Sequence, residues 1–133
     1  MEFGLGILDL LNCRFIDFGR KFAIDVYQFT KRFPSEQVYI KITDQLTRSS
    51  SSAAANYRAA CRGKSLADFI NKLCIVEEET DESIFWLEYT NGIDKKWISE
   101  SQSLLKEGNE LLSIIVASIK TAKKKNIKLK SRY

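Results

Sequence analysis

The sequence predicts an all-α fold, an antiparallel up-down-up-down four-helix bundle. Three observations predict it. Breaks are sparse: the chain has one proline, Pro34. After residue 17 the strong breaks are 33–35, 62–65 and 90–94. The segments between them carry apolar residues stepping by three and four, the helical period. The connections run to about three to five residues, short enough to force neighbouring helices antiparallel. A chain of 133 residues, 44% hydrophobic and 29% charged, suits one soluble domain and excludes a disordered one. Helices are expected at about 17–33, 35–62, 65–90 and 94–123.

The first segment steps through Phe15, Phe18, Phe22, Val26, Phe29 and Phe33. Asp17 is placed to cap it, and Pro34 stops it because proline lacks an N–H and restricts the preceding residue. The second segment carries a heptad seam, Tyr39, Ile42, Leu46, Ser49, Ala53, Asn56 and Ala60. Gly63 then supplies a left-handed residue. The third opens on Ser65 with Asp68 three residues on, a capping-box variant. Its seam is Leu66, Ile70, Leu73, Glu77, Thr80, Ile84 and Leu87, and Gly92 is the expected terminator. The fourth starts at Asp94 with a seam of Ile98, Ser101, Leu105, Gly108, Leu112, Ile115, Ile119 and Ala122. A second apolar line, Leu104, Leu111, Ile114 and Ala117, lies beside it. That surplus, with Trp86 and Trp97 expected on the surface, predicts a self-assembled oligomer using Leu104, Leu111, Ile114, Trp86 and Trp97.

The histidine count is zero. The chain alone therefore builds no Ser-His-Asp triad, Cys-His pair or histidine metal site. The acidic run 77–82 lacks the Glu-x-x-His partners of carboxylate-bridged metals in bundles. Nothing pairs acids across a cleft. No enzyme activity, cofactor or metal is expected. Cys13, Cys61 and Cys74 fit no C-x-x-C spacing and are odd in number, so they read as free thiols in a reducing, cytoplasmic setting. The run 3–11 is apolar but has no basic start or cleavage site, and residues 1–14 read as a weakly structured extension or as an apolar flap that packs on a partner.

Asn56 and Glu77 are polar residues in seam positions. A buried carboxylate needs a partner. Antiparallel pairing about the 63–65 turn puts Arg48 opposite Thr80, one turn from Glu77. The expected polar network is Arg48, Ser52, Asn56, Arg58, Arg62, Glu77, Glu78 and Glu82, chiefly setting register.

The net charge of +4 hides an asymmetry. Residues 1–119 carry a net of −3. Lys120, Lys123, Lys124, Lys125, Lys128, Lys130 and Arg132 follow with no acid. Lys120 and Lys123 also suit the negative end of a helix dipole. The remainder, a tail over 124–133, exceeds what a cap needs and predicts salt-dependent phosphate contacts.

Residues 33–36, 46–63, 68–82, 86–88 and 107–123 together resemble the four helix bundle protein family, also called 23S ribosomal RNA intervening-sequence proteins. The resemblance spans roughly 15–125. It implies a non-catalytic bacterial helical protein, with no catalytic residues to carry over. It is similar also to the accessory variability proteins of diversity-generating retroelements, which implies a barrel-shaped homopentamer that meets RNA, DNA or a nucleic-acid enzyme through a basic surface. In that light Arg48, Asn56, Arg62, Gly63 and Glu77–Glu79 mark fold and assembly. This body is acidic where those relatives are basic. The alternative function is a protein-interaction module with no nucleic-acid role, using Trp86, Trp97, Tyr89 and the N-terminal segment.

Overall fold

A computed structural model describes residues 13–131 of the chain. A 3-10 turn, Cys13–Phe15, leads into α1 (Ile16–Thr30), α2 (Gln37–Cys61), α3 (Leu66–Ile93) and α4 (Trp97–Ser131). Cross-helix contacts give the directions. Ion pairs link Lys21 to Glu107 and Arg32 to Glu100, so α1 and α4 are antiparallel. Arg48 meets Glu79 and Glu82, and Ser49 meets Ser83, so α2 and α3 are antiparallel. Ser101 bonds Asn91, and a Cβ on Gly108 would meet Ile84, which sets α3 against α4.

The core has two lobes. One is built on Phe22, Val26, Ile42, Leu46, Leu87 and Trp97. The other, at the end holding the α2–α3 turn, contains Tyr57, Phe69, Leu73, Ile115 and Ala122. A void between them, lined by Phe22, Ala53, Val76 and Ile115 among others, measures about 20 Å³. It has room for no more than a single water.

The helix count matches the prediction; several boundaries and facings do not. α1 stops at Thr30, three residues before the proline-adjacent Phe33, and its N-cap is Phe15 with no side-chain bond. Asp17 bonds Arg20 instead of capping. Ser65 does cap α3, accepting from the Asp68 N–H at 3.0 Å. α3 runs through Gly92 to Ile93, where Asp94 ends it. Asp94 then turns the chain, its side chain accepting from the Lys96 N–H and its carbonyl from the Trp97 N–H.

The seams depart from the expected line at individual positions, while the seam residues on either side stay buried. A strict heptad repeat of 3.5 runs ahead of a straight helix of 3.6 residues per turn. In α2 the buried residue is Tyr57, 18 positions or five full turns after Tyr39, and Asn56 moves to the flank. In α3 the buried residue is Val76, and Glu77 becomes half-buried beside the core. In α4 the core takes Trp97, Ser101, Leu104, Gly108, Leu111 and Ile115. Leu105 and Leu112 are half-buried, and Ile98 is 49% exposed. Trp97 makes that choice. Its ring meets Phe29, Phe33 and Tyr39 with centroids 5.7, 5.1 and 6.0 Å away. Its Nε1–H donates to the Tyr39 hydroxyl at 3.0 Å.

The three cysteines are not all free. Cys13 and Cys61 form a disulfide with Cα atoms 5.9 Å apart, and Cys74 is the free thiol. Helical spacing puts Cys61 on the core face, but only the folded hairpin brings it to Cys13, 48 residues away in sequence. The reading of three free thiols, and the reducing compartment drawn from it, is therefore corrected.

Gly63 does not use a left-handed backbone. It is needed because a Cβ there would lie 2.9 Å from both the Ala60 carbonyl and the Asp68 carboxylate. Gly63→Ala is expected to destabilise the fold by about 1–3 kcal/mol through overpacking of the turn. Urea unfolding measures this, and an unchanged midpoint would mean that the turn relaxes freely.

Candidate nucleic-acid interface

The predicted basic tail is helix through Ser131. α4 is 35 residues long, about 52 Å at 1.5 Å per residue. Its last buried residue is Ala122, so the helix continues roughly 13 Å past the core. Lys120, Lys123, Lys124, Lys128 and Lys130 are exposed and Lys125 is half-buried. Taken at 100° per residue, these six cover an arc of roughly 220°. The remaining side continues the core-facing line through Ala122, Asn126 and Leu129. Ile127, 67% exposed, sits within the basic arc. Lys120 and Lys123 do not occupy the final turn; Lys128 and Lys130 do, and it is they that face the negative end of the dipole. Arg132 and residues 1–12 lie outside the described residues.

The expected polar network is only partly assembled. Arg48 donates to Glu79 at 2.8 Å and to Glu82, and the Trp86 Nε1–H donates to the same Glu82 oxygen at 3.2 Å. These carboxylates hold the Arg48 guanidinium more firmly protonated, Glu82 chief among them. Arg48 is about half exposed, so the pairs contribute at most about 1 kcal/mol. Ser52 and Asn56 bond each other within α2. Glu77 and Glu78 do not take part, and among the described residues no ion pair joins Arg58 or Arg62 to Glu78 or Glu82. Glu79 is the partner that sequence reasoning missed. It lies three residues before Glu82 and seven before Trp86, spacings that put all three along one side of α3.

Elsewhere, Asp68 is held below the usual carboxylate range by its bond from Lys72, 2.7 Å away. Burial pushes the Tyr57 phenol up to about 12, while a hydrogen bond from the Phe15 backbone acts the other way.

The expected oligomer surface is corrected at three of its five residues. Leu104, Leu111 and Trp97 are 5, 7 and 4% exposed and belong to the protomer's own core. Trp86 and Ile114 are half-buried. Apolar surface is exposed instead at Phe85 and Tyr89, which pack with Trp86 on α3. A second apolar area is a groove of about 400 Å³ between α1 and α2, lined by Ala23, Ile24, Tyr27, Ala54 and Ala55. Among the described residues no three Cys, Asp or Glu side chains stand together as a metal site, and no helix is long and apolar enough to cross a membrane.

Residues 13–117 match the model of the 23S rRNA-intervening sequence protein family. The chain belongs to that family. The match begins at the disulfide and stops short of the lysine-rich end of α4. The chain is also similar to the 1.70 Å crystal structure of a protein of unknown function from the S23 ribosomal protein family of Bacteroides thetaiotaomicron VPI-5482. The two are 29% identical, with a TM-score of 0.75 over 84% of this chain and 99% of that one. No curated protein matches the chain. The matched residues take in Arg48 with its acidic partners and the turn at Gly63. The basic extension of α4 lies outside the matched residues.

Proposed function

We propose that this 23S rRNA-intervening sequence protein is a non-catalytic homo-oligomeric scaffold that binds nucleic acid or a protein associated with it. The observation that carries the reading is α4 itself. It leaves the core as a rigid, lysine-covered rod, a form suited to phosphate contact without sequence readout. The pentameric state follows from the family resemblance. The α3 aromatics and the α1–α2 groove are different patches, and unlike patches meet head to tail, an arrangement that makes a ring where the rotation closes. Filter binding to RNA and DNA at rising salt tests the nucleic-acid reading, with light scattering for the assembly. Deleting residues 123–133 removes no buried side chain among the described residues and is expected to leave the fold intact while cutting affinity at least tenfold. Unchanged affinity after the deletion would sink the role of α4.

The exposed Phe85 and Tyr89 favour a second reading, a protein-interaction module with no nucleic-acid role. A single protein partner recovered after nuclease treatment, and lost in Phe85→Ala, would select it.

A further inference from the structure

The tertiary structure gathers basic residues from the body around the base of the α4 rod. Cys13, Cys61, Leu66 and Ala122 share one core cluster, so the start of α1, the end of α2, the α2–α3 turn and the rod meet at one end of the bundle. Arg14 precedes α1, Arg58 and Arg62 close α2, and Lys64 lies in the turn. All four side chains are exposed. The disulfide places Arg14 and Arg62 as next neighbours of its two half-cystines. Arg58, Arg62, Lys64 and Lys72 also line a groove of about 370 Å³. Over residues 13–20, 55–72 and 118–131 the only acids are Asp17 and Asp68, and each is already ion-paired, with Arg20 and Lys72. The run of acids on α3 begins at Glu77 and extends toward the opposite end. One end of the bundle is therefore strongly basic, although the sequence-wide balance outside the tail is acidic.

The kind of polyanion follows from what this end lacks. Proteins that hold single strands without sequence preference combine a basic groove with aromatic platforms on which bases stack. Here the exposed Phe85 and Tyr89 lie on α3 beyond the acidic run, and Tyr27 alone lines a groove with a cation of this end, Arg58. Tyr57 is buried, and the Phe15 ring is covered by the Arg14 guanidinium at 5.2 Å. Among the described residues this end offers Tyr27 at its margin and no row of exposed aromatic faces for successive bases. What remains is a broad field of cations around a projecting helix, suited to the phosphates of a double helix.

We infer that Arg14, Arg58, Arg62 and Lys64 form, with the α4 lysines, one continuous surface for the phosphate backbone of double-helical nucleic acid. This deepens the nucleic-acid reading above and rests on it. Each phosphate contact contributes a slope of about −0.9 to the dependence of log affinity on log salt for a DNA duplex.

The test is fluorescence anisotropy with a short labelled RNA duplex, its DNA counterpart and the isolated strands, over a salt series. The variant Arg58→Gln/Arg62→Gln/Lys64→Gln, with α4 intact, is expected to lose about 2–3 from the slope and bind duplex roughly a hundredfold more weakly near 0.1 M salt. Lys31→Gln/Lys41→Gln/Lys95→Gln removes as many charges elsewhere and is expected to bind like the wild type. The three single variants at the basic end keep the test open if the triple does not fold. Wild-type affinity and slope in the basic-end variants, with binding lost on deleting residues 123–133, overturns this inference and leaves the α4 reading standing. Tighter binding to single strands than to either duplex overturns the duplex assignment. No binding to any strand at low salt removes the nucleic-acid reading and this inference together.

Discussion

Trp97→Ala is expected to destabilise the fold by about 3–5 kcal/mol, the range for deleting a buried large aromatic. The indole is 4% exposed and fills the space between Phe29, Phe33 and Tyr39. Truncation leaves a cavity there and orphans the Tyr39 hydroxyl. It also removes the residue that sets which side of α4 faces inward, since Leu104 and Leu111 share its core-facing line. Trp97→Phe keeps most of the packing and loses the bond to Tyr39, worth about 1 kcal/mol. Urea unfolding at several protein concentrations separates this from an interface role. A loss below about 1 kcal/mol that grows on dilution would put Trp97 at a subunit contact, as its sequence position suggested.

The second large effect concerns the Cys13–Cys61 disulfide. It closes a loop with 48 residues of separation. The chain-entropy model gives a loop of this size about 4 kcal/mol, and measured values commonly run to about 2–4 kcal/mol. Cys13→Ser is expected to lose that amount relative to the oxidised wild type. Adding a dithiol reductant is expected to bring the wild type down to the variant and leave the variant unmoved. In denaturant without reductant, the wild type is expected to show a single reactive thiol per chain, Cys74. Three reactive thiols in protein never exposed to reductant would contradict the disulfide.

These two sites show where sequence reasoning succeeds and where it stops. Periodicity located every helix, because a run of apolar residues at three and four has few other ways to hide from water. It also located the Ser65 cap, whose partner Asp68 is three residues away. It failed wherever two lines of residues competed for one core. Leu104 with Leu111 and Leu105 with Leu112 are near-equal candidates along α4. Only a distant ring stack, reaching from α1 and α2, decides between them. Glu77 and Val76 are a similar pair, resolved by the 3.6-residue turn. The candidate site was half legible. The lysines near the end of α4 fall within eleven residues of sequence and are plain there. Arg14, Arg58, Arg62 and Lys64 are scattered over about fifty residues, and the sequence reading places Arg58 and Arg62 in the polar network within the bundle.

The sequence by itself determined the class of the fold, the four helices, the family and the basic end of the last helix. All of these depend on neighbours a few positions apart or on the order of motifs along the chain. The tertiary structure alone decided the disulfide, the inward side of α4, the partners of Arg48 and the gathering of body cations beside the rod. Each of these is a meeting of residues tens of positions apart. Helical period says which side of its own helix a residue occupies. It does not say what waits there from another helix, and in an antiparallel bundle that meeting sets both packing and charge.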